Sequence, residues 1–193
     1  MTYTPKIVAF AGSTRVDSYN KKLVAIAAAG ARAAGAEVTY VDLRELPMPL
    51  YDGDLEEQEG IPPTARKFKE IMRAHDGILI ASPEYNSSMT AVLKNAIDWA
   101  SRPIDGEPPL ACFADKVAAI MSASPGALGG LRGLVHLRSV LGNLRVLLLP
   151  DQIAVPRAHE AFTPEGGLHD THQQANVEAI GAKLVQVVAK LNS

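Results

Sequence analysis

Five short runs of apolar residues recur along the chain, each followed by a stretch with helical spacing. They occupy residues 7–11 (Ile7, Val8, Ala9, Phe10, Ala11), 38–41 (Val38, Thr39, Tyr40, Val41), 78–81 (Ile78, Leu79, Ile80, Ala81), 117–121 (Val117, Ala118, Ala119, Ile120, Met121) and 146–149 (Val146, Leu147, Leu148, Leu149). Most carry no polar alternation, the habit of strands covered on both faces in a parallel sheet. The first ends at Gly12, the second at Asp42, the third at Ser82-Pro83, the fourth at Ser122 and the fifth at Pro150.

The intervening segments follow the helical period. Leu23, Ile26 and Ala27 form one stripe, and Leu93, Ala96, Ile97 and Ala100 fall at i, i+3, i+4 and i+7. Val177, Ile180, Gly181, Leu184, Val188 and Leu191 continue such a face in the last segment. Pro62-Pro63 suits a first helical turn, where a missing N–H costs nothing. Strand and helix thus alternate five times, which predicts an α/β fold with a parallel sheet and helices on both faces. No repeat or low-complexity tract interrupts the plan, and residues 1–193 read as one domain.

Composition narrows the classes. Hydrophobic residues make up 47% and charged residues 21%, a globular balance that excludes whole-chain disorder. Nineteen basic against 21 acidic side chains give a net charge of −2, which argues against nucleic acid as a partner. No apolar run approaches the ~20 residues needed to span a bilayer, so no membrane partner is expected. Residues 1–6 lack the basic and apolar regions of a signal peptide. The single cysteine, Cys112, cannot form an internal disulfide, and the expected location is the cytoplasm.

Two long connections stand out. Residues 44–61 contain Pro47, Pro49 and Gly53 and are acidic; residues 102–110 contain Pro103, Pro108 and Pro109. Loops this long in α/β domains are more often functional than idle, although both also read as plain surface insertions.

Ligands of open α/β sheets bind beyond the carboxyl ends of the strands. After the first strand comes Gly12-Ser13-Thr14-Arg15-Val16-Asp17-Ser18-Tyr19-Asn20, leading into a helix. Hydroxyls, an amide and a guanidinium beside free helix N–H groups make an anion site, and a Ser/Asn-rich cap with an exposed arginine is the plainer reading. Neither G-x-G-x-x-G nor G-x-x-x-x-G-K-[ST] is present, so a mononucleotide phosphate fits better than a dinucleotide or a nucleoside triphosphate. After the third strand, Ser82-Pro83-Glu84-Tyr85-Asn86 supplies an aromatic face and backbone donors. After the fourth, Ser124-Pro125-Gly126 and Gly129-Gly130 allow a flat ligand to approach the main chain.

Gly-Ser-Thr-Arg-x-x-Ser-Tyr-Asn at 12–20 closely resembles the FMN-phosphate loop of the NADPH-dependent FMN reductase family. Pro83-Glu84-Tyr85-Asn86 with Leu93-Lys94-Asn95-Ala96-Ile97-Asp98-Trp99 resembles its second signature. Leu46-Pro47-Met48-Pro49-Leu50-Tyr51-Asp52, Ser124-x-Gly126 and the Leu137-Arg138 helix are also similar, so the resemblance covers roughly residues 5–155. It implies a flavodoxin-like fold with strand order 2-1-3-4-5, FMN as cofactor, NADPH or NADH as electron donor, and a small-molecule acceptor such as a quinone, chromate, an azo dye or free flavin. A homodimer or homotetramer is expected with it. Carried over by position, Ser13, Arg15, Ser18, Tyr19 and Asn20 would hold the phosphate and ribityl chain. Pro83, Glu84, Tyr85 and Asn86 would line the ring, and Ser124 and Gly126 would approach it. Hydride transfer to a flavin needs no protein acid or base, so no catalytic residue is assigned.

An FMN electron carrier that does not oxidise pyridine nucleotide is the alternative, but such carriers tend to be strongly acidic. A non-enzymatic domain for another mononucleotide is a third reading. His169 and His172 lack partners with metal-ligand spacing and read as a solvated loop pair, so no metal is expected. His136 reads as packing or interface, Cys112 as a small buried or loop residue, and Trp99 and Met89 as core or cofactor contacts in equal measure. The tail beyond Pro156 shows a helix and no signature.

Overall fold

The structure is a computed structural model and describes residues 3–192. The sequence reading of residues 1–6 therefore lies partly outside the described residues. Five parallel strands, β1 (Lys6–Ala11), β2 (Glu37–Val41), β3 (Gly77–Ala81), β6 (Val117–Ala123) and β7 (Leu147–Val155), form one sheet in the order β2-β1-β3-β6-β7. In strand-only numbering this is the expected 2-1-3-4-5. A second sheet is the small antiparallel hairpin β4 (Glu84–Tyr85) and β5 (Ser88–Met89).

Helices cover both faces. On one side α1 (Tyr19–Ala33) and α7 (Thr171–Leu191) bury Leu23, Ala27, Val177, Ile180 and Leu184 against Ile7, Leu79 and Ala119. On the other, α3 (Pro63–Arg73), α4 (Ala91–Ala100) and α5 (Leu131–Asn143) bury Phe68, Leu93, Ile97, Leu134 and Leu137 against Phe10, Ile78 and Ile120. The central strands are apolar but for Ser122 because both faces are covered: β3 and β6 are buried at every residue. Edge strand β2 departs from that expectation, with Glu37, Thr39 and Tyr40 exposed.

Helix starts follow their sequence signals. Ser18 caps α1, Thr90 caps α4, Asp170 caps α7, and Pro63 opens α3 behind Pro62. In the last helix Leu191 is exposed, so the apolar stripe ends at Val188. Helices α1 and α7 cross at two glycines. A Cβ on Gly30 would lie 2.0 Å from the Glu178 carbonyl oxygen, and one on Gly181 would lie 2.0 Å from that of Ala27. Here the two backbones touch, and no side chain fits between them.

The fifth strand does not stop at Pro150. It continues to Val155, and the register shifts so that Ala118 pairs with Leu148 but Ile120 with Gln152. Pro150 sits in this bulge on the edge strand, where its missing N–H breaks no ladder. That extension carries the edge strand up to the carboxyl end of β6, beside the site.

Both long connections are structured. Residues 44–61 hold a 3-10 turn (Leu43–Glu45) and the acidic helix α2 (Gly53–Glu59). Residues 102–110 are tied to α3 by the buried Lys69, whose Nζ donates to the Ala100 carbonyl at 3.3 Å and the Arg102 carbonyl at 2.6 Å and pairs with Glu107 at 3.4 Å. Cys112 is buried beneath them, and its thiol is pushed up by that burial.

Candidate functional site

The loops leaving β1, β3 and β6 converge beyond the carboxyl ends of the strands. They enclose a cavity of about 90 Å³ lined by Ser13, Arg15, Ser18, Tyr19, Asn20, Pro83, Glu84, Tyr85, Ala123, Ser124 and Pro125. Nine of the eleven residues expected from the sequence therefore share one wall or another of a single cleft. Asn86 and Gly126 lie on its flanking loops and are exposed.

The first loop is held close to the sheet. Gly12 N–H donates to the Ala81 carbonyl at 2.9 Å, and Thr90 Oγ1 donates to the Gly12 carbonyl at 2.7 Å. A Cβ on Gly12 would lie 2.8 Å from Leu93 Cβ, so a glycine is needed where the loop meets α4. Beyond it, the Arg15 N–H donates to Ser13 Oγ at 3.3 Å and the Lys21 N–H to Ser18 Oγ at 3.4 Å. With the oxygens of these buried hydroxyls accepting from the main chain, their hydrogens remain for a ligand. The exposed Arg15 guanidinium makes no hydrogen bond or ion pair among the described residues. Two hydroxyl donors, a free guanidinium and the start of α1 form a cup suited to a phosphate.

Asn20, on the cavity wall, also braces the sheet. Its Nδ2 donates to the Ala123 carbonyl at 2.8 Å and its Oδ1 accepts from the Ala123 N–H at 2.9 Å, both buried. The side chain thus splices the start of α1 to the end of β6. Tyr19 stacks on Phe162, centroids 5.8 Å apart, which brings the tail against the cup. The tail adds the short helix α6 (Ala158–Ala161) ahead of α7, and its start is bonded to the third loop. Arg157 N–H donates to the Gly126 carbonyl at 3.3 Å, and Ala158 N–H to the Ser124 carbonyl at 3.1 Å.

The ring-side wall is the β4–β5 hairpin. Asn86 (φ 51°) and Ser87 (φ 67°) both take positive φ between Tyr85 and Ser88, the geometry of a tight hairpin turn. Asn86 tolerates this conformation better than most residues, so its first task is to make the turn. Tyr85 is 58% exposed at the mouth of the cavity. The Glu84 carboxylate turns away toward α5. Its Oε1 accepts from Arg132 Nε at 3.0 Å and Nη2 at 2.7 Å, and its Oε2 accepts from the Gly133 N–H at 3.1 Å. Burial alone would raise this carboxyl, but the Gly133 amide and the Arg132 guanidinium outweigh it and hold the group below the ordinary glutamate range.

The third wall relies on glycine. Gly129 (φ 61°) and Gly130 (φ 89°) turn the chain into α5, and a Cβ on Gly130 would lie 1.9 Å from Ser122 Oγ. Near Gly126, by contrast, the nearest atom to a built Cβ is Ser124 Oγ at 3.7 Å, leaving the main chain open to a flat ligand.

Sequence reasoning missed Arg132, Gly133, Ala123 and the main chain of residues 157–158. The Gly129-Gly130 pair was the readable signal for the α5 entry; the rest follow from tertiary placement. The Asn95 and Trp99 side chains, part of the second signature, face the 46–52 loop. Asn95 Nδ2 and Trp99 Nε1 each donate to the Pro49 carbonyl at 2.8 Å, and Asn95 Oδ1 accepts from the Tyr51 N–H at 2.8 Å. Met89 is half-buried on the α4 side of the core and His136 is exposed, its Nδ1 3.1 Å from Ser88 Oγ.

A parallel sheet in this order with a phosphate cup and a flat-ligand slot at its carboxyl edge defines a flavodoxin-like mononucleotide-binding protein. Comparison with known proteins carries this further. The family description NADPH-dependent FMN reductase matches residues 5–160, and the chain belongs to that family. It is 40% identical over 166 residues to an NAD(P)H-dependent FMN reductase from Pseudomonas aeruginosa, covering 86% of this chain and 85% of the relative. It is 42% identical over 144 residues to a 2-hydroxy-1,4-benzoquinone reductase from a Burkholderia species, covering 75% and 74%. Among solved structures, a flavoenzyme NAD(P)H:(acceptor) oxidoreductase from Paracoccus denitrificans superposes with a TM-score of 0.80 at 26% identity, over 97% of this chain and 98% of that one.

Proposed function

We propose that residues 1–193 act as one FMN-binding domain that passes electrons from NADPH or NADH to a small-molecule acceptor, with quinones the leading class. The observation that carries this reading is the donor set of the cup: two buried hydroxyls whose oxygens already accept from the main chain, beside an arginine whose guanidinium makes no hydrogen bond or ion pair among the described residues. A phosphate dianion needs such donors when it leaves water. When bound, FMN supplies the hydride and electron-transfer chemistry.

The chain's own residues bind, orient and screen. Ser13, Ser18 and Arg15 would take the phosphate oxygens, with α1 adding the positive end of its dipole. Tyr19 and Asn20 form the floor beneath the ribityl chain, Asn20 by bracing the end of β6. Pro83, Glu84, Tyr85 and Asn86 would present main chain and an aromatic ring to one side of the flavin, and Ser124 and Gly126 to the other. Main-chain N–H groups directed at the ring would stabilise the charge that reduction adds. The open mouth at Tyr85 leaves room for a donor and then an acceptor.

Assembly into a homodimer or homotetramer belongs to this reading. Val16 is 77% exposed and Leu50 is 76% exposed, and a second cavity of about 330 Å³ is lined by Leu43, Leu46, Pro47, Met48, Val92 and Ala96 together with Thr14, Arg44 and Asn95. Exposed apolar side chains and a largely apolar groove suit a two-fold contact between copies. No helix among the described residues is long and apolar enough to cross a membrane. A cytoplasmic location is a separate part of the proposal.

The deciding experiment is anaerobic mixing of the purified protein with NADPH and with NADH, followed at the flavin absorbance band. Bleaching, and recovery on adding a quinone, supports the oxidoreductase. Bound flavin that neither nucleotide reduces favours the electron carrier, and FAD as the sole flavin released by heating overturns the cofactor assignment.

A further inference from the structure

We infer that Glu84, Arg132 and Gly133 form a latch that fixes the β4–β5 hairpin to the start of α5 and so sets the width of the slot proposed for the flavin ring. The inference rests on the flavin reading above and gives the Glu84 side chain a positioning role in place of contact with the ring.

The hairpin has little to hold it by itself. It pairs only Glu84 with Met89 and Tyr85 with Ser88, and its two turn residues take positive φ without being glycine. Two-stranded hairpins are marginal in water even with favourable turns. Helix α5 has a matching deficiency: its cap residue, Gly130, has no side chain to satisfy the first N–H groups. Glu84 answers both needs. Its carboxylate, 8% exposed, accepts from the Gly133 N–H and from two nitrogens of Arg132, acting as a helix cap supplied by another element.

The backbone is shaped for this contact. A Cβ on Gly133 would lie 3.2 Å from the Ser88 carbonyl oxygen and 3.4 Å from Glu84 Cβ, so the hairpin packs directly on a glycine surface. Ser88 Oγ adds a contact to His136 on the next turn of α5. The start of α5 continues directly from the Ser124 to Gly126 loop, so the latch joins the two walls between which a flat ring would lie. Arg132 does not line the cavity, and its side chain is 61% exposed. Any effect it has on ligand binding must pass through Glu84.

The test is equilibrium titration of apoprotein with FMN and with riboflavin, which lacks the phosphate, using wild type, R132A, E84A, E84Q, the R132A/E84A double variant and R15A. Loss of this charge-assisted pair should weaken both flavins about tenfold in R132A and E84A. The double variant should be no weaker than E84A, because the two residues form one interaction. E84Q, which still accepts from Gly133, should lose about threefold. R15A should weaken FMN alone. Riboflavin affinity unchanged in R132A, or losses that multiply in the double variant, would overturn the latch.

Amide hydrogen exchange in the apoprotein reads the latch without any flavin. The Gly133 N–H should be protected in wild type and lose protection in E84A; an unprotected Gly133 amide in wild type also overturns the inference. A protected, Glu84-dependent amide in a protein that binds neither flavin would instead sink the flavin reading and the slot with it, leaving only a structural clamp.

Discussion

Asn20 and Ala123 exchange a complete pair of hydrogen bonds across the molecule: the amide donates to the Ala123 carbonyl at 2.8 Å and accepts from its N–H at 2.9 Å. Through this pair the first helix and the fourth sheet strand close around the phosphate cup. Asn20→Ala leaves a buried N–H and a buried C=O unpaired. The expected cost is about 2–4 kcal/mol of folding stability, with looser FMN binding. Urea unfolding of the apoprotein measures it, and a loss below half a kcal/mol would show that water replaces the amide.

Arg15 and Ser18 should separate by charge. Arg15→Ala removes a charge-assisted bond to the phosphate, typically about 1.5–3 kcal/mol, or roughly ten- to a hundredfold in FMN affinity. Ser18→Ala should lose about 0.5–1.5 kcal/mol of binding and also about 1 kcal/mol of stability, because the same hydroxyl caps α1. Isothermal titration with FMN, together with thermal unfolding, distinguishes the two variants. Equal FMN affinity in wild type and Arg15→Ala would mean that the guanidinium serves only the solvent.

The 46–52 loop is strapped down by α4, so its looseness can be induced from a distance. Asn95→Ala removes the acceptor of the Tyr51 N–H and one donor to Pro49, leaving Trp99 Nε1 on Pro49, Thr64 Oγ1 on the Pro47 carbonyl and Arg102 on the Tyr51 hydroxyl. Protease cleavage near Leu50 should accelerate severalfold, while the core unfolds within about 2 kcal/mol of wild type. If Leu50 is the knob of a dimer contact, sedimentation of this variant should show a weaker dimer. Cleavage kinetics matching wild type would count against the strap.

Acid should release the hairpin before it unfolds the sheet. Glu84 is held below the ordinary carboxyl value of about 4.5, so its stabilising contribution is fully present above that value and is lost as pH falls through the folded one. With Arg132 largely exposed, the contribution is about 1 kcal/mol after screening. Unfolding of wild type and Glu84→Gln compared at pH 7, 5, 4 and 3.5 isolates it, since Arg132 and His136 are common to both. The wild-type advantage should shrink across the lower two steps. A difference independent of pH would mean that the carboxylate is not the stabilising form.

The sheet was legible because its central strands are buried on both faces, and uninterrupted apolar runs such as 78–81 have few other uses. The strand through Pro150 was not, because proline ordinarily ends a strand and only the bulge on an open edge admits it. The phosphate cup could be read from Ser13, Arg15 and Ser18, whose chemistry is local to one helix start. Glu84 and Asn20 could be placed at the cleft but not given their partners. Arg132 lies 48 positions from Glu84, and Ala123 lies 103 positions from Asn20, with no periodicity to announce either pairing. The tail offered no signature for a related reason: residues 157 and 158 act through main-chain N–H groups, which every non-proline residue possesses.

The backbone contact between α1 and α7 bears on how any ligand sits. With Gly30 and Gly181 allowing the two helices to meet without side chains between them, α1 has no slack in which to tilt or slide. The helix that presents the phosphate cup is therefore clamped from behind by the last helix of the chain. A ligand seated between the hairpin and the glycine-rich turn therefore rests on a floor that the far end of the chain holds in place.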